Sequence, residues 1–289
     1  MEICDTHSPM ANLSQFLKPE ELPKYFGIDV DGTLYTKNVE GFERNVKAIT
    51  QIRKRGYIPF ICTGRSRKTS FNLFGPDFVE KTGYRGYPGV YKNGAVVYDE
   101  KGDILSLCAF SEDFLTKFSN FLTENKCADK VIFFTEDYEH SLADVCPEWR
   151  ENLISINRNI PKTLTFEELL KKNVVMIKYA YFKLDLPDLK EGIDYIERAD
   201  QDHTRDLCPP GVTKASALST LINHYGLSPK DCGFIGDCYN DVECLRICSP
   251  SFAVANAKDV AKRSAQWVLD KTCDQGAVAE ALQLTYGPL

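Results

Sequence analysis

This sequence has few histidines and no closely paired cysteines. Its 289 residues include 4 histidines, and none of the four has the short spacing of a zinc-binding pair. The 11 cysteines are an odd number without a Cys-x-x-Cys pair, and the nearest approach is Cys244-x-x-x-Cys248. These features disfavour a structural zinc site and a secreted disulfide scaffold. We expect reduced, mostly buried cysteines in a cytosolic protein.

Long apolar runs are also missing. The longest one, Val174 to Phe182, is interrupted by Lys178, whereas a membrane-spanning helix needs about 20 apolar residues. The residues up to Lys24 lack the basic start and apolar middle of a signal peptide. We therefore expect residues 1–23 to form a loosely ordered leader, and the protein to be cytoplasmic with no membrane partner.

Basic residues are not in excess. The chain has 35 Lys and Arg against 41 Asp and Glu, a net charge of −6. A nucleic-acid partner is disfavoured, because such proteins usually carry a basic surface. An anionic small substrate remains possible, since a local site can be positive on an acidic protein. The chain also lacks a Walker A pattern, and Gly83, Gly86 and Gly89 are not spaced as Gly-x-Gly-x-x-Gly.

Periodicity predicts an α/β fold with a Rossmann-like parallel sheet. A buried strand over 24–30, a helix over 42–55 and a strand over 57–62 make a right-handed crossover unit. The C-terminal third repeats the alternation, with helices at 213–225, 240–248, 259–265 and 277–284 and strands at 232–236, 251–254 and 266–269. Both ends of the chain are thus predicted to form one core.

The middle of the chain has a different pattern, typical of an α+β domain. We predict strands at 95–98, 104–110, 131–135, 174–183 and 204–208 and helices at 113–124 and 187–198. The segment 149–159 is ambiguous. The prediction is a smaller cap domain, residues 93–206, inserted in a discontinuous core of residues 24–92 and 207–289.

Two acidic clusters follow predicted parallel strands. They are Asp29-Val-Asp-Gly-Thr33 and Gly236-Asp-Cys-Tyr-Asn-Asp241. Ligands bind beyond the carboxyl ends of such strands, so both clusters point to one crevice. Converging carboxylates repel one another unless a cation holds them, and their hard oxygens suit Mg²⁺.

Two residues at the same sheet edge suit a phosphoryl group. Thr63 follows the second strand, and Lys214 begins a predicted helix. A hydroxyl, an ammonium and helix N-terminal N–H groups are the donors that phosphoryl oxygens need. Together with the carboxylates, they indicate phosphoryl transfer on a small phosphorylated metabolite.

In order along the chain, these motifs resemble the four motifs of the haloacid dehalogenase superfamily. They are Asp29-Val-Asp-Gly-Thr33, Cys62-Thr-Gly-Arg65, Lys214 and Gly236-Asp-Cys-Tyr-Asn-Asp241. Lys92-Asn-Gly-Ala95, Val254-Ala-Asn-Ala257 and Gly276 resemble its Cof-type, sugar-phosphatase-like branch, which carries a cap at this position. The cap itself contains no motif of that branch.

The resemblance implies a role for each matching residue. Asp29 would be the nucleophile that forms an aspartyl-phosphate. Asp31 would be the general acid and then the base, which favours phosphate esters over halides because an alkoxide leaving group needs a proton. The implied Mg²⁺ ligands are Asp29, the backbone carbonyl of Asp31, Asp237 and Asp241.

The remaining implied residues bind phosphate or substrate. Thr63 and Lys214 would hold the transferring phosphoryl oxygens, and Gly32 would permit the sharp turn after the strand. The wider set expected at the phosphate and substrate is Gly32, Thr33, Thr63, Gly64, Arg65, Asn93, Lys214 and Asn240. Asn256 is interpreted as a turn residue.

Two alternatives stay open at this point. One is a phosphomannomutase-like sugar phosphomutase, which would share the aspartyl-phosphate but return the phosphoryl group to the sugar. The other is a non-catalytic phosphometabolite sensor, which the presence of both Asp29 and Asp31 disfavours. The sequence predicts a Mg²⁺-dependent phosphatase and leaves the substrate and the oligomeric state open.

Overall fold

The computed structural model describes residues 13–155, 159–199 and 204–289. Within them, one sheet has eight strands in the order β14-β13-β12-β1-β2-β3-β4-β5. Its strands are β1 Tyr25–Ile28, β2 Ile58–Cys62, β3 Gly89–Tyr91, β4 Val96–Tyr98, β5 Ile104–Leu107, β12 Cys232–Gly236, β13 Ser251–Ala253 and β14 Trp267–Val268.

The central strands of this sheet are parallel and buried. Strand β1 lies between β2 and β12, so that Ile28 pairs with both Ile61 and Ile235. All four residues of β1 and all five of β12 are buried, as expected for strands covered by helices on both faces. The carboxyl ends of β1, β2 and β12 therefore meet at one edge of the sheet.

Helices from both ends of the chain cover the core sheet. The α-helices of the described residues are α1 Val39–Lys54, α2 Arg67–Phe74, α3 Asp77–Thr82, α4 Glu112–Glu124, α5 Pro147–Ser155, α6 Phe166–Leu170, α7 Lys214–His224, α8 Val242–Ile247, α9 Asp259–Ser264 and α10 Ala277–Tyr286. α1 packs on α10 and on α3. The ambiguous segment 149–159 is partly the helix α5, and residues 156–158 lie outside the described ones.

The structure places the strands that follow Asn93, where the predicted cap begins, in the core sheet. Strands β4 and β5 form a hairpin that pairs antiparallel with β3 and so continues the core sheet. The sequence analysis missed β3, a three-residue strand, and left the hairpin without a neighbour in the core. We propose that the cap begins after β5.

A second, six-stranded sheet forms the inserted unit. Its order is β10-β11-β9-β6-β7-β8, and all its pairs are antiparallel except β7 with β8. The strands are β6 Val131–Phe134, β7 Glu139–Ser141, β8 Lys162–Thr163, β9 Met176–Ala180, β10 Ile196–Ala199 and β11 Thr204–Cys208. An α/β core with an inserted α+β cap is confirmed.

The predicted helix over 187–198 is wrong. Turns and an isolated bridge between Glu191 and Tyr195 occupy most of this segment, and β10 follows. Gly192 has φ +84°, a left-handed conformation that interrupts a helix. The carboxylate of Asp194 accepts a hydrogen bond from the backbone N–H of Lys190 (2.7 Å), which closes the turn.

Part of the predicted leader packs on the core. Residues 1–12 lie outside the described residues. Beyond them, the Phe16 ring lies 5.2 Å from the Trp267 ring and 5.8 Å from that of Phe252. These aromatic contacts attach residues near Phe16 to the edge of the core sheet.

Candidate active site

The turn after β1 places two aspartates at the sheet edge. Asp29 follows the last residue of the strand, and its backbone N–H donates to the carbonyl of Ile235 (3.0 Å). Gly32 has φ +74°, and a Cβ there would lie 2.5 Å from Asp237 Oδ2. The turn therefore needs glycine both for its left-handed backbone and for the close approach of Asp237.

Helix α7 carries a buried cation into the site. Its N-cap, Thr213, accepts a hydrogen bond from the Ser216 N–H (3.0 Å) and fixes the first turn. Lys214, the first helical residue, is 1% exposed. Its Nζ lies 2.6 Å from Asp29 Oδ1 and 2.7 Å from Asp241 Oδ1, so one ammonium bridges the two clusters that the sequence placed in one crevice.

Three carboxylates meet around this cation. Oxygens of Asp29, Asp237 and Asp241 lie within 4.8 Å of one another. Burial and the charge of Asp241 raise the pKa of Asp29 well above its ordinary value and that of Asp237 to about 6, although Lys214 opposes both shifts. One ammonium does not neutralise three carboxylates, and the excess negative charge with its hard oxygens fits a divalent cation such as Mg²⁺.

Asp241 is held in place by backbone hydrogen bonds. It is completely buried, and its Oδ2 accepts hydrogen bonds from the backbone N–H groups of Asp237 (3.0 Å) and Cys238 (3.1 Å). Gly236 makes room for it, since a Cβ there would lie 2.5 Å from Asp241 Cγ. The second acidic cluster is thus folded around its own last carboxylate.

The side chain of Asp31 is paired with Arg65. Arg65 Nε and one terminal nitrogen each lie 2.6 Å from a different oxygen of Asp31, a bidentate pair. Burial by itself would lower the pKa of Arg65, but the hydrogen bonds to Asp31 together with the negative charges of Asp31 and Asp29 raise it. The guanidinium and this carboxylate stand side by side at the crevice.

Strand β2 ends in the polar loop that the sequence predicted. Thr63 is buried, and its hydroxyl accepts a hydrogen bond from the Arg65 N–H (3.2 Å). Asn93, with φ +54°, donates its backbone N–H to the Thr63 carbonyl (3.1 Å) and accepts from the side-chain amide of Asn240 (3.0 Å). A Cβ on Gly64 would lie 3.1 Å from Asn93 Oδ1, so these loops pack closely.

Thr33 and Asn256 form hydrogen bonds with the two acidic loops of the site. Thr33 is fully buried, and its hydroxyl lies 3.4 Å from Asp237 Oδ1. The side-chain amide of Asn256 donates to the Gly32 carbonyl (2.9 Å) and accepts from the Cys273 N–H (2.7 Å). Asn256 thus ties the first acidic loop to the C-terminal segment, a contact that the interpretation as a turn residue missed.

A cavity of about 380 Å³ opens above these groups. Most of the predicted site residues line it: Asp29, Asp31, Gly32, Thr63, Gly64, Arg65, Asn93, Asp237 and Asn240. Thr33, Lys214 and Asp241 lie beneath its floor. Its volume is at the small end of the range for small-molecule sites.

The rest of the cavity wall was missed by sequence reasoning. It consists of Thr69, Lys92, Phe134, Glu139, Met176, Lys178, Asp206 and Cys238, most of them from the second sheet. One signal was present in the sequence: Lys178 is the single charged residue in the otherwise apolar run 174–182. A lone charge in a buried strand indicates a paired or functional group.

Comparison with known proteins gives a consistent family. The family model of haloacid dehalogenase-like hydrolases matches residues 26–282. An uncharacterized hydrolase of Schizosaccharomyces pombe is 26% identical over 93% of this chain and 92% of its own length. An Arabidopsis thaliana protein named as a chloroplastic endoribonuclease YBEY is 27% identical over 89% of this chain, but the aligned part is 46% of that protein.

Solved structures share the fold. A HAD/COF-like hydrolase from Plasmodium vivax superposes with a TM-score of 0.79, with 27% identity over 92% of this chain and 96% of that one. A structure described as a subclass IIB sugar phosphatase gives a TM-score of 0.73, with 19% identity over 90% and 97% of the chains. At that identity the second likeness concerns the fold alone. None of the helices in the described ranges combines the length and apolar character needed to cross a bilayer.

Proposed function

Because this chain belongs to the haloacid dehalogenase-like hydrolases, we propose that it is a Mg²⁺-dependent phosphatase of small phosphorylated metabolites, sugar phosphates first. The carrying observation is the Lys214 ammonium held between Asp29 and Asp241 beside Asp237. The fold shared with a sugar phosphatase supports the substrate class. A cytoplasmic location is part of the proposal.

The metal in this proposal is bound by the carboxylates. Asp29, Asp237, Asp241 and the backbone carbonyl of Asp31 would hold Mg²⁺, which supplies positive charge for the phosphoryl oxygens when bound. Lys214 is already engaged by two of these carboxylates, so it orients Asp29 and favours its ionised form. An ionised, oriented carboxylate is what a nucleophile must be.

The first step is attack by Asp29 on phosphorus. A bond forms between a carboxylate oxygen of Asp29 and phosphorus, and the bond from phosphorus to the ester oxygen breaks. Asp31 gives a proton to the departing alkoxide. The bidentate pair with Arg65 engages both carboxylate oxygens of Asp31, so this pair must loosen when Asp31 carries the proton.

The second step regenerates the enzyme. Asp31, now ionised, takes a proton from water, and the water oxygen bonds to phosphorus as the bond to Asp29 breaks. Orthophosphate leaves. In this step Asp31 can keep its bidentate pair with Arg65 only until it accepts the proton. In both steps the Thr63 hydroxyl and the Lys214 ammonium stabilise the negative charge on the phosphoryl oxygens.

The test is hydrolysis of 4-nitrophenyl phosphate by the purified full chain, with Mg²⁺ and with EDTA, for the wild type and Asp29→Asn. The matched control is Asp113→Asn, the same substitution in an exposed ion pair with Lys117 on α4. We expect Mg²⁺-dependent turnover that Asp29→Asn abolishes and Asp113→Asn retains. Intact-protein mass spectrometry of acid-quenched wild type should detect the phosphorylated enzyme.

Two results would contradict the proposal. Activity that survives in Asp29→Asn would refute the aspartyl-phosphate intermediate. A folded wild type that hydrolyses neither the aryl ester nor a panel of sugar and polyol phosphates would refute the phosphatase activity. Turnover that requires a sugar bisphosphate activator would instead identify a phosphomutase.

A further inference from the structure

The side of the cavity opposite the carboxylates is built by the second sheet. Phe134 from β6, Glu139 from β7, Met176 and Lys178 from β9 and Asp206 from β11 line it. A phosphoryl group at Asp29 leaves the rest of a substrate facing this wall. The wall therefore decides which leaving group fits, and its chemistry can be derived from its side chains.

A buried ion pair stands at the centre of the wall. Lys178 and Asp206 are directly paired across β9 and β11, and Lys178 Nζ lies 2.6 Å from Asp206 Oδ1. Their side chains are 13% and 11% exposed. A pair this buried costs desolvation, so its place on a cavity wall indicates a use other than stability.

The wall carries balanced charge. Its two carboxylates, Asp206 and Glu139, face two ammonium groups, Lys178 and Lys92. Lys178 is engaged by Asp206, and Lys92 Nζ lies 4.0 Å from the centre of the Phe134 ring. A second anionic group on the substrate would lie beside two carboxylates. To reach an ammonium group it would have to displace Asp206 from Lys178 or the Phe134 ring from Lys92. A bisphosphate or a phosphorylated acid is therefore a poor fit.

Uncharged hydroxyl groups fit this wall instead. A hydroxyl donates to a carboxylate and accepts from an ammonium, and the adjacent ammonium and carboxylate of Lys178 and Asp206 match two neighbouring hydroxyls. Phe134 and Met176 line the cavity beside them and can contact the carbon skeleton. An aryl group would displace water from the charged pair and offer it no hydrogen bond in exchange, which is the costly case.

On these contacts we propose that Lys178 and Asp206, with Glu139, select a leaving group that is an uncharged polyol with neighbouring hydroxyls. The inference rests on the proposed phosphatase activity and specifies the substrate class of the same cavity. Lys178 and Asp206 are then residues that determine specificity and take no part in phosphoryl transfer.

The experiment compares kcat/KM for hexose 6-phosphates, pentose 5-phosphates and glycerol 3-phosphate with that for 4-nitrophenyl phosphate, phosphoglycolate and a sugar bisphosphate. The variants are Asp206→Asn and Glu139→Gln, of which the second breaks no ion pair among the described residues. The matched control is Glu197→Gln on the neighbouring strand β10, whose carboxylate contacts Tyr179 and Arg205 outside the cavity. Circular dichroism checks that each variant is folded.

We expect the wild type to prefer one of the polyol phosphates over the doubly anionic esters. For that polyol phosphate, Asp206→Asn should lower the ratio of kcat/KM to the aryl ester about tenfold or more, the effect of losing a charge-assisted hydrogen bond. Glu139→Gln should lower it in the same direction, and Glu197→Gln should leave it unchanged.

An unchanged ratio in both cavity variants, or a wild type that prefers phosphoglycolate or the bisphosphate, would overturn the inference. Either result would leave the proposed phosphatase intact, because the aryl ester is still hydrolysed. Failure of the wild type on every ester would instead refute the proposed function itself.

Discussion

Replacing Lys214 by methionine isolates the buried charge at the centre of the site. Methionine has a similar length and no charge, so the change removes the ammonium between Asp29 and Asp241 while the packing is largely kept. Removing one partner of a buried ion pair costs about 3–5 kcal/mol. This loss is large against the ~5–15 kcal/mol that stabilises a typical protein.

The sign of the pH dependence follows from the carboxylates. Burial and the charge of Asp241 already raise the pKa of Asp29, and Lys214 is the group that opposes the rise. Without Lys214 the folded-state pKa moves further above the unfolded value. A carboxyl group with a raised folded-state pKa destabilises the folded protein as the pH rises through the interval between the two values. The deficit should thus be larger at about pH 8 than at about pH 5.

The assay is urea unfolding of wild type and Lys214→Met in EDTA at both pH values, followed by tryptophan fluorescence. Millimolar Mg²⁺ should stabilise both proteins, because a cation that binds only the folded state stabilises it. It should also reduce the deficit, because it supplies positive charge in place of the missing ammonium. Lys117→Met is the matched control. It breaks an exposed pair with Asp113 at 2.7 Å and should cost at most about 1 kcal/mol.

A deficit for Lys214→Met no larger than that of Lys117→Met would refute the reasoning. A deficit that is greater at the lower pH would refute it as well. A deficit of the expected size, with unfolding midpoints of both proteins that Mg²⁺ leaves unchanged, would keep the charge argument and contradict the assignment of the carboxylates to the metal.

Three further outcomes are expected. Asp31→Asn should lower kcat for a sugar phosphate about 10²-fold or more, the usual contribution of a general acid. It should lower kcat less for 4-nitrophenyl phosphate, because that leaving group needs no proton. Equal losses on both esters would contradict the role of Asp31 as the general acid. Gly32→Ala, with a Cβ 2.5 Å from Asp237 Oδ2 at φ +74°, should cost about 1–3 kcal/mol in urea and raise the Mg²⁺ concentration needed for half-maximal activity, and a neutral effect on both would count against the geometry. Asn256→Ala removes the bonds to the Gly32 carbonyl and the Cys273 N–H and should cost about 1–3 kcal/mol, whereas an unchanged unfolding midpoint would show that water replaces them.

The parts of the site that follow strand ends were predictable from sequence. A buried strand that stops at a polar cluster has few alternatives in a parallel sheet, so the positions of Asp29, Thr63 and Asp237 follow from local pattern. The strand Cys232–Gly236 has the predicted bounds. The bidentate pair of Arg65 with Asp31 could not be predicted in this way, because it depends on the side-chain direction of two loops.

The errors have physical causes in non-local pairing. The apolar residues of the segment 187–198 have a spacing that fits a helix but does not exclude turns. Its last residues form a strand only because they pair with β11. The hairpin of β4 and β5 has ordinary strand patterning, and its sheet is decided by its contact with the short β3. The cavity wall of the cap is likewise assembled from strands far apart in sequence, so no single segment reveals it.

The position of β1 in its sheet bears on how the protein is made. β1 has β2 on one side and β12 on the other, and about two hundred residues of chain separate the synthesis of β1 from that of β12. Until β12 leaves the ribosome, one edge of β1 has no native partner, and unpaired apolar edges are prone to aggregation. The Asp29–Lys214 contact spans 185 positions. The cap strands are encoded between these two residues, so the candidate site can close only after the cap strands have been made.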